Sequence, residues 1–159
     1  MSIIEYDKKY DENIKDLLVE LQEYIVSIDK EKYNIMTDLY REENFKDTME
    51  ELLSQNGKIF LAVEDDNMVG LIMGLINNEE ESTYDFKAPK RGRVTELIVS
   101  SKSRSKGIGK MLLKTMENYF KEMGCKALLI EVFGYNDKGR NFYNNNGYLE
   151  RNVEVMKVL

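Results

Sequence analysis

No histidine occurs in this chain of 159 residues, and that absence excludes more chemistry than any motif in it suggests. Ser-His-Asp and Cys-His nucleophile activation both need an imidazole, and the common zinc sites use one or several. With a single cysteine, Cys125, neither an internal disulfide nor a four-cysteine zinc site can form, so no metal is expected and a reducing compartment fits. One proline and no Ser- or Gly-rich tract leave nothing that reads as a linker, and no internal repeat occurs. No apolar run approaches the roughly 18 residues needed to cross a bilayer. Met1-Ser2-Ile3-Ile4-Glu5 has neither the basic start nor the apolar stretch of a leader. A cytoplasmic location with no membrane partner is therefore expected.

Charge of positive sign is also in short supply. The 23 Lys and Arg against 29 Asp and Glu give a net charge of −6, which argues against a nucleic-acid partner, since phosphate contacts need clustered cations. Four of those cations, Lys102, Arg104, Lys106 and Lys110, nevertheless fall close together, a local patch suited to one small polyanion. At 42% hydrophobic and 33% charged, the chain can bury one substantial core and is too short for two ordinary domains, so residues 1–159 are expected to form one.

The coarse pattern alternates strands and helices. Residues 3–6 read as a strand, and Asp11 is placed to cap a helix carrying Ile14, Leu17, Leu18, Leu21 and Ile25 at helical spacing. A second helix over residues 42–55 puts Phe45, Met49, Leu52 and Leu53 on one side and stops at Asn56-Gly57. Residues 59–63 and 68–76 form a hairpin about Glu64-Asp65-Asp66-Asn67. A strand over 93–99 precedes a glycine turn and a helix expected to bury Ile108, Met111, Leu112, Met116, Tyr119, Phe120 and Met123, stopping at Gly124. A strand over 127–132, a short helix over 136–145 ending near Gly147, and a last strand over 153–158 complete the chain.

The turn Arg104-Ser105-Lys106-Gly107-Ile108-Gly109 stands where a strand gives way to a helix. The first N–H groups of a helix lack intrachain partners and sit at the positive end of its dipole, so such a turn can hold a phosphate. Glycine lets a ligand approach the backbone. A nucleotide P-loop does not fit, because Arg104 stands where its first glycine belongs and Met111 follows Lys110. A dinucleotide fingerprint would need glycine at position 112, which is Leu112.

Leu97-Ile98-Val99, the turn itself and Met111-Leu112-Leu113 together resemble the acetyl-CoA-binding motif of the GCN5-related N-acetyltransferases (GNAT): Arg or Gln, two residues, Gly, any residue, then Gly or Ala. Further along, Asn136-Asp137-Lys138-Gly139-Arg140-Asn141-Phe142-Tyr143, then Asn144-Asn145-Asn146-Gly147-Tyr148, resembles the second signature of that family. The match covers about residues 94–149. Gly139 departs from the usual Ala, a change worth about 1 kcal/mol in a helix interior.

The resemblance implies an α/β (α+β) fold with a mixed, mostly antiparallel twisted sheet of six or seven strands flanked by about four helices. It implies acetyl-CoA as cosubstrate and a primary amine on a small molecule or protein as acceptor. It also assigns roles: Leu97, Ile98 and Val99 would pair with the pantetheine through their backbone. Arg104, Ser105, Lys106, Gly107, Ile108 and Gly109 would hold the pyrophosphate, and Asn136 the pantetheine arm or pyrophosphate. Tyr143 takes the general-acid position. Glu96 is the first choice for the base, acting through water, although alternation puts it on one face with Ile98 and away from Leu97 and Val99, so that without a bulge it faces away from the amine; Glu131 is its competitor. A homodimer is a further expectation, with residues 153–158 contributing an edge.

Other residues are open to two readings. Cys125 has no imidazole to activate it, although Lys126 is adjacent. Tyr33, Tyr40 and Tyr84 fall in the irregular regions where the family builds its acceptor pocket, and Glu79-Glu80-Glu81 is placed to attract a cationic amine or simply to be solvated. A sensor that binds acyl-CoA without catalysis, and a fold kept only as an interaction surface, remain as alternative classes.

Overall fold

A computed structural model describes residues 1–77, 84–85 and 87–158 of the chain. Its sheet has five strands in sequence order: β1 (Ser2–Glu5), β2 (Lys58–Glu64), β3 (Asn67–Asn77), β4 (Arg91–Val99) and β5 (Ala127–Ile130). The first four are antiparallel neighbours, while β5 runs parallel to β4 from Arg91↔Ala127 to Val94↔Ile130. The β2–β3 hairpin turns through Asp65 and Asp66 at φ 50° and 62°, the left-handed pair that matches strand twist in a two-residue loop.

Helices cover both faces. Helix α1 (Asp11–Ile28) and helix α2 (Tyr40–Ser54) close one side, where Ile14, Leu17, Leu18 and Leu52 pack on Leu61, Leu71, Met73 and Ile98. Helix α3 (Ile108–Glu122) closes the other, with Ile108, Leu112, Leu113, Met116 and Phe120 against Phe60, Ile72 and Val94. A side chain at position 92 would collide with the Phe120 ring, so Gly92 sets the depth at which α3 sits. Helix α4 (Asp137–Asn145) lies beyond β5.

Several expectations are corrected. The sheet holds five strands among the described residues, not six or seven, and residues 153–158 form no strand. Arg140 of α4 clamps Glu150 at 2.7 Å, which ties the chain leaving α4 back to that helix, and Val153, Val155 and Val158 stand exposed outside any ladder. The edge expected to serve a homodimer is thus not formed. Met111 and Leu53 are exposed because each falls one position beside the buried stripe of its helix, and Met123 because α3 ends at Glu122, whereas Leu113 is buried. Asp11 does not cap α1; Asp7 caps a preceding 3-10 turn through Lys9 N–H, and Asp11 instead accepts from the Tyr6 hydroxyl at 2.7 Å.

Candidate active site

Strand β4 outruns its parallel partner, and the site grows from that mismatch. Pairing with β5 ends at Val94, while β4 continues to Val99. At the same point the β3 register slips: Met73 faces Glu96 but Gly74 faces Val94, so Thr95 is the extra residue of a bulge. Val94 belongs to the core under α3, and Ile98 to the core under α1 and α2. The bulge therefore transfers Glu96 and Ile98 to the face opposite Val94 and forks β4 away from β5.

Beyond the bulge the outer edge of β4 is open. Ser100 N–H donates to the Val69 carbonyl at 2.9 Å, which fixes the antiparallel alternation: Ile98 spends its backbone groups on β3, while Leu97 and Val99 turn theirs toward the fork. The backbone groups that face the open edge thus belong to Leu97 and Val99, while those of Ile98 face β3. The Val99 carbonyl accepts from Arg104 Nε at 2.9 Å.

The turn after β4 is built for an anion. Ser105 and Gly107 take left-handed conformations, φ 64° and 79°, which fold the chain tightly into α3. No side chain caps that helix, so the first amides of Ile108, Gly109 and Lys110 lack a side-chain acceptor. The turn's cations carry protein counter-charges: Arg104 bonds Glu20 of α1 at 3.0 Å and Lys106 reaches Glu64 of β2 at 3.5 Å. Glu20 also accepts the Ser101 N–H at 2.7 Å. An anionic ligand must compete with that carboxylate. E20Q keeps an acceptor for Ser101 while removing the charge, so coenzyme A is expected to bind about two- to fivefold tighter to it by calorimetry at low salt, with the gain shrinking as salt rises.

Helix α4 supplies the far wall. Asn136 caps it, accepting from Gly139 N–H at 2.9 Å and from the Tyr24 hydroxyl of α1 at 3.3 Å. A Cβ at position 139 would stand 2.6 Å from Asn136 Nδ2, so glycine rather than alanine there lets the side chain fold back over the helix start. Phe142 packs against Gly109, joining the two signatures, and Tyr143 is held edge-on by Phe142 and Tyr148 at centroid separations of 5.2 and 5.7 Å. Tyr135 donates to Glu31 at 2.6 Å, a second tie between this wall and the chain after α1.

Glu96 is the electrostatic centre. Burial pushes its carboxyl up to about 7. Burial also raises the phenol of Tyr143, to about 12, and that of Tyr40, and the Glu96 charge adds to both shifts. One carboxylate from β4 is thus felt by a tyrosine from α2 and one from α4. Glu131, the competing base, is 92% exposed and lies 4.0 Å from Arg93, so it has no comparable environment. Of the three tyrosines singled out in the irregular regions, Tyr40 is drawn inward while Tyr33 and Tyr84 are exposed. Cys125 lies half-buried in the α3-side core, and burial raises its thiol. The run Glu79-Glu80-Glu81 lies outside the described residues. Among the described residues no helix is long and apolar enough to cross a membrane. The fork is what sequence reasoning missed, and the bulge it named only as a condition on Glu96, without its position; the mixture of polar and apolar residues around Thr95 and Glu96 is the one local signal of either.

A mixed sheet forked beside an uncapped helix start, with a half-buried carboxylate at the fork, agrees with the acyltransferase class that the motif resemblance implies. Residues 22–148 match the Acetyltransferase (GNAT) family, and the chain belongs to that family. It is 34% identical over 95 residues to an uncharacterised N-acetyltransferase of Methanocaldococcus jannaschii, covering 59% of this chain and 54% of that protein. The chain spans about half the length of the first curated relatives it matches. Among solved structures, a tetramutant of the BH1408 protein from Bacillus halodurans superposes with a TM-score of 0.87 at 17% identity, covering all of both chains. An aminoglycoside N-acetyltransferase in complex with coenzyme A superposes at 0.69 with 16% identity, covering 99% of this chain and all of that one.

Proposed function

We propose that this chain is an acetyl-CoA-dependent N-acetyltransferase that acts on a primary amine in a ternary complex. The single observation that carries the reading is the buried Glu96 at the mouth of the β4–β5 fork, within electrostatic reach of Tyr143. Bound acetyl-CoA would supply an activated thioester, and the residues present fit it. Leu97 offers its main-chain groups and Val99 its N–H, the Arg104–Gly109 turn offers amides and two cations, and Asn136 stands at the start of α4. Arg104 leaves Glu20 and the Val99 carbonyl to engage the pyrophosphate.

The chain's own groups then divide the proton traffic. Glu96 accepts a proton from the ammonium, which frees the nitrogen lone pair to attack the acetyl carbonyl while the carbon–sulfur bond breaks, and the nitrogen's second proton passes to solvent as the amide forms. Tyr143 donates a hydrogen bond to the departing thiolate. Positioning supplies much of the rate, since both reactants are fixed in one cleft. The fit to a cytoplasmic enzyme is the reading favoured by the lone, half-buried Cys125. The acceptor is read as the amine of a small molecule or a peptide, in keeping with the aminoglycoside acetyltransferase among its structural relatives.

A thermal-shift titration tests the cofactor, and release of free thiol tests the chemistry. Acetyl-CoA at about a hundred times Kd is expected to add about 2.7 kcal/mol to stability. Thiol release is expected with at least one amine from a panel of spermidine, kanamycin, amino acids and N-terminal peptides. Absence of any thermal shift would overturn the reading, and a shift without turnover would favour an acyl-CoA sensor.

A further inference from the structure

We infer that Thr95 is an acceptor-binding residue: its hydroxyl and the Glu96 carboxylate form a two-point seat for the incoming ammonium. The inference rests on the acetyltransferase reading of the site. Among the described residues, Thr95 Oγ1 is buried and has no hydrogen-bond partner. Leaving such a group unsatisfied costs about 1–3 kcal/mol, so a valine of the same shape would suit the folded state better unless the hydroxyl has work to do.

The register shows where that work lies. Val94 pairs with Gly74 and belongs to the α3-side core; Glu96 pairs with Met73, whose side chain belongs to the core under α1 and α2. Strict alternation from Val94 puts Thr95 on the α1/α2 face, and alternation back from Ile98 puts Glu96 there too. The bulge thus sets two consecutive residues, their Cα atoms about 3.8 Å apart, on one face of β4. Both stand where β4 leaves β5, on the side toward which Tyr40 is drawn.

An ammonium brings three N–H donors and needs acceptors. Glu96 accepts one N–H and takes its proton, and Thr95 Oγ1 accepts a second; the lone pair forms facing Glu96, and the nitrogen then pivots about the N–H···Oγ1 bond to turn it to the thioester.

The test uses T95V and T95S with the panel amine that the wild-type protein acetylates fastest. T95V is expected to lower kcat/KM for the amine roughly 10- to 100-fold, the worth of a hydrogen bond from a charged donor, with KM for acetyl-CoA and the acetyl-CoA thermal shift unchanged. Its melting temperature is expected to equal or exceed that of wild type. T95S is expected to restore most of the activity. Unchanged amine kinetics in T95V would overturn the inference, as would parallel losses of stability and activity in both variants. If the wild type binds acetyl-CoA but acetylates no panel amine, the acetyltransferase reading fails and this inference falls with it.

Discussion

Replacing Tyr143 with Phe is expected to lower kcat roughly 10²- to 10³-fold, the usual cost of deleting one donor aimed at developing negative charge, while KM for acetyl-CoA stays within a factor of about two. The substitution leaves both ring contacts, to Phe142 and Tyr148, in place, so the fold has no reason to change. The direction of the Tyr143 shift defines what the hydroxyl does. Burial first, and the Glu96 charge second, push the phenol up to about 12, so it is protonated throughout the working range. A thiolate of ordinary basicity, near 8.5, is then a weaker base than this phenolate by about 3.5 units. On the proposed mechanism complete proton transfer is uphill, and Tyr143 would serve as a hydrogen-bond donor that stabilises the thiolate until solvent protonates it. Steady-state kinetics with the acetyl-CoA thermal shift run alongside check this: equal losses in turnover and in cofactor affinity would reassign Tyr143 to binding.

Most of the architecture around this site is written in short-range pattern. The glycine turn, the Asn136 cap and the β2–β3 hairpin are legible because each depends on a few adjacent residues whose backbone preferences leave little choice. What is not legible depends on contacts far apart in the chain. The bulge at Thr95 carries no glycine or proline to announce it; it exists because β4 must serve β3 in one register at Gly74 and in another at Met73. That slip decides which way Glu96 faces: alternation alone left its direction open, and in the structure its charge is felt by Tyr40 and Tyr143. The counter-charge on Arg104 is equally hidden, since Glu20 stands 84 positions away. The last strand fails for a related reason. Its alternating valines satisfy the local pattern, but a strand also needs a partner edge, and the Arg140–Glu150 clamp directs the chain elsewhere.

As the proposed base, Glu96 would tie activity to a cost in stability, and one pair of titrations reads both. With the carboxyl raised to about 7 by burial, kcat/KM for the amine is expected to rise with pH and to level off above about pH 7, because only the carboxylate can accept the proton. The raised value is useful: against an amine of ordinary basicity, near 10.4, it cuts the uphill step from about 6 units to about 3.4, and the same dry surroundings lower the amine further. E96Q is expected to lose roughly 10²- to 10⁴-fold in kcat and the rising limb with it. Stability moves the other way. Between the ordinary value of 4.5 and the folded value near 7, the folded protein holds a proton that the unfolded chain has released. The stabilising effect of that proton is complete below about pH 4.5 and is lost as pH rises through 7, at most about 3 kcal/mol in all. The amide of E96Q carries no such dependence, so the variant is expected to gain stability relative to wild type as pH rises from 5 to 8, read by melting temperature at each pH. A variant that is inactive yet shows a constant stability difference across that range would mean that Glu96 is not buried as a titrating carboxyl, and the proton would have to leave the amine by another route.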